Sequence, residues 1–510
     1  MRVTNKMMNN TSLSNINKNK EYLDKLNNQM ASEKKITRPS DDPIVAIRAL
    51  KLRSNLTEIT QYHEKNLKDA SAWLTATQDA IESTQGMITS MRSLFTQGAN
   101  ATNSSESRAA IIDQLGAFRK QIYDDGNADY AGRSLFTGFR TATTLTFSES
   151  DAKAAEYTGI TQEFTLEDVE KSKYIGGKVD KADISSLDKL LALPLSAATP
   201  GDPKLYTTED ITDNTVNRIR LAYGNVNSNN KAISIDIDGT TYSVADGNLN
   251  ITKNVDDPDA AYNPGDNEIN FIPETGEIIL GKNVLAGLTT ESKIKAVYNK
   301  SEWSEGDLRP ENYFACKDAK GIVYEEPAEK QDITYDISAN QKIDVNTTCD
   351  EIYDPMIGRD IDEILSALKD YDAALSKVET LKGYLTTYDN AEDTDINKQK
   401  VQQVLDAANK EVDATKEKVQ KMFEHYQTRF DGYLKNTTQA ATENGSRLSR
   451  VELVSNRLLD LKTTAKELAD DNENVEVTDM AIELSEAKLV YEAALMATGK
   501  VSQVTLLNYI

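Results

Sequence analysis

The sequence predicts an α+β fold in which the N- and C-terminal halves pair into a long helical bundle or coiled-coil rod with an inserted β-rich region. Near both ends of the 510-residue chain, apolar residues repeat at alternating steps of three and four, the spacing of helices that pack on other helices. In the middle, the apolar period changes from about 3.6 to 2, which is typical of strands. Each helical stripe needs a partner to bury it, so we expect the two halves to meet.

These changes of period divide the chain into five segments. Residues 1–42 and 473–510 are predicted to form a terminal helical assembly domain, and residues 43–140 and 356–472 a helical rod domain. Residues 141–355 are predicted to form one or two β-rich outer domains. Because the halves pair in this order, the two chain ends should lie side by side.

Each end of the chain carries an apolar stripe that we predict to form contacts between subunits. The N-terminal stripe consists of Leu13, Ile16, Leu23, Leu26 and Met30. The C-terminal stripe consists of Met480, Leu484, Ala487, Tyr491, Ala494 and Val501. A single amphipathic stripe more often packs on the core of its own domain, but stripes at both ends favour assembly.

A short joint rich in proline and aspartate separates the first stripe from the next helix. It contains Pro39, Ser40, Asp41, Asp42 and Pro43. Pro39 cannot continue a helix, while Ser40 or Asp41 can cap the next one and Pro43 suits its first turn. We therefore predict a break between two helices here.

Two inner helices are predicted in the N-terminal half. The first runs over residues 43–97, and its apolar stripe is regular from Leu67 onwards. The second follows a polar turn, carries apolar residues over 111–122 and ends near Gly126.

In the C-terminal half the helical period returns after Asp354-Pro355. One helix covers residues 361–378 and is interrupted near 389–395. The next carries an apolar stripe over residues 401–468, with a thinning near Gly445 that allows a bend.

The central region contains a clear hairpin signal. Apolar residues alternate with polar ones over 233–237, and Asp238-Gly239 then turns the chain into a second strand at 240–244. Further strands are predicted at residues 269–272, 277–280, 294–298 and 333–335.

Composition argues against several classes of partner. The chain has 58 basic and 82 acidic residues, for a net charge of −24, which disfavours nucleic acid and anionic membranes as general partners. No stretch approaches the roughly 18 apolar residues of a membrane helix. The first residues have no apolar run of signal-peptide length, so we expect any export to use another route.

Motifs that would indicate chemistry are missing from the sequence. Its two histidines, His63 and His425, are too far apart for an H-E-x-x-H zinc site, and no phosphate-binding loop or G-x-S-x-G elbow occurs. Two cysteines, Cys316 and Cys349, allow one disulfide bridge but no disulfide framework. We therefore predict a protein that is not an enzyme and binds no cofactor or metal.

Several short motifs resemble the flagellar hook-associated proteins of the flagellin family. They lie at residues 1–4 (MRVT), 36–43 (ITRPSDDP), 127–138 (NADYAGRSLFTG), 475–481 (VEVTDMA) and 506–510 (LLNYI). The resemblance covers about residues 1–140 and 400–510, and residues 306–314 (GDLRPENYF) resemble part of the family's variable domain. Both prolines of the joint favour a hook-associated protein over flagellin itself.

The resemblance implies a structural component of the bacterial flagellum, an adaptor between hook and filament. It implies export through the flagellar type III channel, secretion and assembly through the terminal helices. The implied partners are further copies of the chain in a ring-like assembly, a neighbouring hook-associated protein, flagellin and an export chaperone, with no nucleic acid and no membrane. Two alternatives stay open: a flagellin-type filament subunit, or adhesin-like surface binding by the β-rich insertion.

Overall fold

The computed structural model describes residues 5–99, 104–195, 204–229, 233–253, 258–325, 331–388, 392 and 395–507. The chain divides into two compact units. The first contains Met1–Ser71, Thr334–Ile343 and Ser449–Ile510, and the second contains Ala72–Ile333 and Asp344–Leu448. Each unit therefore draws on both halves of the sequence.

Long helices dominate both ends of the sequence, and short ones occur between the strands. In chain order they are α1 (Asn5–Ser32), α2 (Pro43–Gln61), α3 (Leu67–Gly98), α4 (Ser105–Asp125), α5 (Glu149–Ala154), α6 (Leu187–Ala192), α7 (Pro258–Ala261), α8 (Lys282–Gly287), α9 (Pro355–Thr386), α10 (Ile396–Glu473) and α11 (Val477–Leu507).

The strands lie between α4 and α9. They are β1 (Asp129–Tyr130), β2 (Arg133–Ser134), β3 (Tyr157–Phe164), β4 (Glu170–Gly176), β5 (Thr212–Arg220), β6 (Ile233–Ile237), β7 (Thr240–Tyr242), β8 (Leu249–Ile251), β9 (Ile269–Ile272), β10 (Glu277–Leu280), β11 (Ile294–Lys300), β12 (Ala315–Asp318), β13 (Val323–Tyr324), β14 (Thr334–Ser338) and β15 (Gln341–Asp344).

Within the second unit, α3, α4, α9 and α10 pack as a helical bundle. The ring of Phe95 on α3 lies against Phe423 and Phe430 of α10, with centroids 5.9 and 4.8 Å apart. Arg108 of α4 pairs with Asp372 of α9 at 2.7 Å. The buried positions of α3 follow the predicted stripe, because a regular 3.6-residue period keeps one face on the bundle core.

The β-region of the second unit contains two larger sheets. One has five strands in the order β4-β5-β10-β9-β8, and the other has six in the order β13-β12-β3-β11-β6-β7. The predicted hairpin is present as β6 and β7, where Asp238 and Gly239 both have positive φ. Strands β9 and β10, inside the five-stranded sheet, are buried on both faces.

The predicted α+β class is confirmed, but three local features differ from expectation. The helix predicted over residues 43–97 contains a π-helical turn at Tyr62–Asn66, and its extra residue shifts the apolar phase just before the regular stripe begins at Leu67. α10 continues through Gly445 without interruption. β-structure also begins at Asp129, before residue 141, because Ala131 and Gly132 adopt the positive φ of a tight turn.

The hairpin formed by β14 and β15 is part of the first unit, although the sequence placed its first strand in the β-rich insertion. It lies against the π-helical turn, where the Asn66 side chain donates to the Asp336 carbonyl at 2.7 Å. Arg457 of α10 donates to Ser338 at 3.4 Å on the same hairpin. Strand periodicity identifies a hairpin but carries no information about the helix on which it packs.

Candidate functional site

The two terminal helices, α1 and α11, pack side by side in the first unit. Their shared core consists of Leu26, Met480 and Ala487, which are 2, 7 and 7% exposed. Leu23, Met30, Val475 and Leu484 pack around this core. The end of α1 lies beside the start of α11, so the two helices form an antiparallel pair.

The predicted stripe residues therefore divide into two groups. Six of them pack within the chain: Leu23, Leu26, Met30, Met480, Leu484 and Ala487. Leu13 is 54% exposed, while Ile16, Tyr491 and Ala494 are half-buried. The side chain of Val501 lies outside the described residues.

A second apolar face of α11 was missed by the sequence reasoning. Ile482, Leu489 and Met496 follow each other at seven-residue intervals and are 56, 69 and 66% exposed. Val490 and Leu495 beside them are also exposed. Their heptad spacing was a usable signal, but the stripe through Met480 obscured it because α11 is apolar around most of its circumference. A helix of this kind has one face for α1 and another that no described residue covers.

The segment between α1 and α2 is held against the end of α10. The backbone N–H of Val475 donates to the Glu33 carbonyl at 3.1 Å, and the N–H of Lys35 donates to the Glu473 carbonyl at 2.8 Å. Glu33 has a φ of 57°, which lets the chain leave α1 in a tight turn. These bonds connect residues from opposite ends of the sequence and fix where the terminal pair begins.

The proline joint uses its two aspartates differently from the prediction. Asp42 is the N-cap of α2, accepting from the N–H of Ile44 at 2.9 Å, so the prediction of Ser40 or Asp41 as the cap was wrong. Asp41 accepts from the N–H groups of Thr37 and Arg38 at 3.1 and 2.9 Å, and these bonds lower its pKa. Asp41 thus closes the turn that contains Pro39, and Pro43 occupies the first turn of α2.

α2 adds another exposed apolar face to the first unit. Its Ala46 and Ala49 are buried, whereas Ile44, Ile47 and Leu50 are 69, 68 and 66% exposed. A group of neighbouring exposed apolar side chains of this kind typically marks an interaction site.

A buried ionic cluster in the second unit connects the five-stranded sheet to the bundle, and no sequence pattern predicted it. Arg220 of β5 binds Asp360 of α9 at 2.6 Å and Glu170 of β4 at 3.0 Å, and Arg218 binds Glu363 at 2.6 Å. Burial raises the pKa of Glu363, but the charges of Arg218 and Arg220 outweigh it and lower that pKa overall. Both arginines form ion pairs with carboxylates, so we interpret the cluster as a structural link between the sheet and the bundle.

The described residues also give information on disulfides, metal sites and membrane-spanning helices. Cys316 and Cys349 are both free and buried. No group of three or more His, Cys, Asp or Glu residues within the described ranges is arranged to hold a metal ion. None of the described helices combines the length and apolar content needed to cross a membrane.

Comparison with known proteins gives a consistent result. Residues 3–141 match the bacterial flagellin N-terminal helical region. Flagellar hook-associated protein 3 of Salmonella typhimurium is 28% identical over 142 residues, which is 28% of this chain and 44% of that protein. The protein of the same name from Escherichia coli K12 is 26% identical over 201 residues, or 39% of this chain and 62% of that protein.

The matches thus span about half the length of these curated relatives. A solved flagellar hook-associated protein from Vibrio parahaemolyticus aligns over 85% of this chain and 100% of its own, with 14% identity and a TM-score of 0.34. The resemblance expected from the joint and terminal motifs is confirmed: this chain carries a flagellin-type N-terminal helical region and resembles flagellar hook-associated protein 3.

Proposed function

We propose that this protein is a non-enzymatic structural component of the bacterial flagellum that acts as an adaptor at the hook–filament junction. The observation that carries the proposal is the exposed stripe of Ile482, Leu489 and Met496 on α11, the helix whose other face packs on α1. Burying each such side chain in a neighbouring helix stabilises the contact by roughly 1.5–3 kcal/mol. Assembly therefore adds to the stability of the terminal pair.

The proposed partners follow from this surface. Further copies of the chain, in a ring-like assembly, bury the exposed stripe against their own terminal helices. A neighbouring hook-associated protein and flagellin occupy the two ends of that ring, and an export chaperone covers the same apolar surface before secretion. The predicted stripe residues Leu13, Ile16, Tyr491, Ala494 and Val501 are proposed to take part in these contacts.

The test is a stripe variant expressed in flagellated cells that lack the natural gene. Ile482→Ser, Leu489→Ser and Met496→Ser together remove the stripe but leave the face on α1 intact. We expect a folded, secreted protein that does not join filament to hook, so that flagellin is shed into the medium.

The matched control removes exposed apolar side chains outside the terminal helices. Leu195→Ser, Ile322→Ser and Val323→Ser change residues that are 59, 50 and 66% exposed. This control should support normal filaments. Normal filaments on the stripe variant would contradict the proposal, and long filaments formed by the purified natural chain alone would favour the flagellin alternative.

A further inference from the structure

A cavity of about 640 Å³ lies in the second unit between the five-stranded sheet and helices α9 and α10. Arg218 and Glu277 reach it from the sheet, and Arg359 and Lys418 reach it from α9 and α10. Its volume is in the range of small-molecule sites, but its lining is far more polar than that of a typical apolar pocket. Its occupant must therefore match a dense set of charges and hydrogen-bonding groups.

Two cations in the cavity lack the carboxylate partners that the ionic cluster gives to Arg218 and Arg220. Arg359 donates to the Thr275 carbonyl, and its Nε is buried without an acceptor. For the Lys418 ammonium, no hydrogen bond or ion pair is formed with any described residue. Burial lowers the pKa of both groups, which is the expected response of cations withdrawn from water. Glu363 offsets part of the charge of both cations, but neither has a directly bonded carboxylate among the described residues, and an anionic group on a ligand would supply one.

The same cavity also presents acceptors that need donors. One carboxylate oxygen of Glu274 is buried without a hydrogen bond to any described residue. Ser172 and Ser366 also line the wall. A ligand that carried negative charge alone would leave Glu274 unsatisfied and repelled, so the fitting ligand combines one anionic group with several hydrogen-bond donors.

An aromatic wall completes the arrangement. Tyr174 and Tyr262 stack with ring centroids 4.4 Å apart and an interplanar angle of 17°. Their hydroxyls donate to Asp259 at 2.6 Å and to Glu277 at 2.7 Å, so the ring positions are fixed. A rigid aromatic pair offers an apolar surface to the C–H face of a ring-shaped ligand.

We propose that this cavity binds an acidic saccharide of the uronic acid class. Its carboxylate would lie against the guanidinium of Arg359, because a guanidinium fork matches a planar carboxylate, and Lys418 would donate to its hydroxyls. Its hydroxyls donate to Glu274 and exchange hydrogen bonds with the two serines, and its ring packs near the tyrosine pair. This proposal is independent of the assembly role, because the cavity lies in the unit that contains neither terminal helix.

The binding test uses the full chain titrated with galacturonate by isothermal calorimetry. Galactose is the matched neutral sugar, and acetate and inorganic phosphate are the matched anions without a sugar ring. We expect saturable galacturonate binding and at least about tenfold weaker binding of the other three, since each lacks interactions worth about 1.4 kcal/mol or more.

Two substitutions test the assignment of residues. Lys418→Gln and Arg359→Gln should each weaken galacturonate binding by about tenfold or more, because each removes a charge-assisted bond. Lys421→Gln is the matched control: this lysine lies on the same helix but is exposed and pairs with Glu417 at 2.6 Å. It should bind as the natural chain does.

Three outcomes would overturn the proposal. They are the lack of saturable galacturonate binding, acetate or phosphate binding as tight as that of galacturonate, and unchanged affinity in Lys418→Gln. Thermal unfolding confirms that each variant is folded. If the more enclosed Arg359→Gln does not fold, Lys418→Gln alone decides the test.

Discussion

Arg53 of α2 makes a two-point ion pair with Glu473 at the end of α10, with 2.6 Å between Arg53 Nε and Glu473 Oε1. The two residues are 420 positions apart in the sequence. The ammonium of Lys34, in the segment that leaves α1, lies 3.7 Å from the same carboxylate. The buried Glu473 at the end of α10 thus contacts both α2 and the segment after α1, at the point where the terminal helix pair starts.

The ion pair between Arg53 and Glu473 predicts that the contact between α2 and the end of α10 weakens in acid. The hydrogen bond from Arg53 lowers the pKa of Glu473 below its unfolded value of about 4.3. A carboxyl whose pKa is lower in the folded state stabilises that state above the unfolded pKa and loses this contribution as pH falls through the folded pKa. The protection factors of the α11 amides, which correct exchange rates for their intrinsic pH dependence, should therefore fall as the pH drops below about 4.

Glu473→Gln serves as the control for this prediction. It should lower the protection factors of the α11 amides at pH 7 and remove their acid dependence between about pH 5 and 3. Arg53 is 63% exposed on its side chain, so Arg53→Ala should lower the free energy of unfolding by no more than about 1 kcal/mol. An identical pH profile for the natural chain and Glu473→Gln would show that the ion pair between Arg53 and Glu473 is not the acid-sensitive contact.

The capping role of Asp42 predicts unequal effects of two neighbouring substitutions. Asp42→Ala removes the acceptor for the first N–H groups of α2 and should destabilise the first unit by about 0.5–2 kcal/mol. Ser40→Ala should change stability by less than about 0.5 kcal/mol. Chemical denaturation monitored by circular dichroism compares them, and a larger loss for Ser40→Ala would contradict the cap assignment.

The buried ionic cluster predicts a strong energetic coupling. Arg220→Met leaves the fully buried Asp360 without its closest cation and should destabilise the second unit by about 3–5 kcal/mol. Asp360→Leu combined with Arg220→Met should lose clearly less than the sum of the two single changes, because no isolated charge remains. A double-mutant cycle measures this coupling, and additive losses would show that the two residues act independently.

The terminal helix pair predicts different roles for two leucines of the same predicted stripe. Leu26 is 2% exposed, so Leu26→Ala should destabilise the α1–α11 pair by about 2–5 kcal/mol and increase hydrogen exchange in both helices. Leu13 is 54% exposed, so Leu13→Ala should leave exchange in the free subunit unchanged. Equal effects on exchange would contradict the division of the stripe into a packed part and an exposed part.

Sequence periodicity predicted the long helices, the β6–β7 hairpin and the pairing of the two halves, because each depends on regular apolar spacing. It also located the joint from Pro39 to Pro43. The cap at Asp42 was missed by one or two residues, since Ser40, Asp41 and Asp42 are all good caps and the choice depends on how the turn closes. The π-helical turn was missed because a single extra residue changes the phase without changing the composition.

Sequence periodicity did not predict the buried ionic cluster or the exposed apolar stripe of α11. Arg218, Arg220 and Glu363 look like ordinary exposed residues in a chain of 27% charged residues, and only the tertiary fold brings them together. The stripe through Ile482 was hidden because a helix that is apolar on two faces shows no single preferred side. Periodicity therefore identifies helix faces that can be buried. It does not show which of these faces packs against another part of the same chain.

We propose that this chain is an adaptor at the hook–filament junction and not a filament subunit. Immunogold electron microscopy of intact flagella, with antibodies against the β-rich region of the second unit, tests it most directly. We predict gold label confined to a thin band at the tip of the hook. Label distributed along the length of the filament would contradict it.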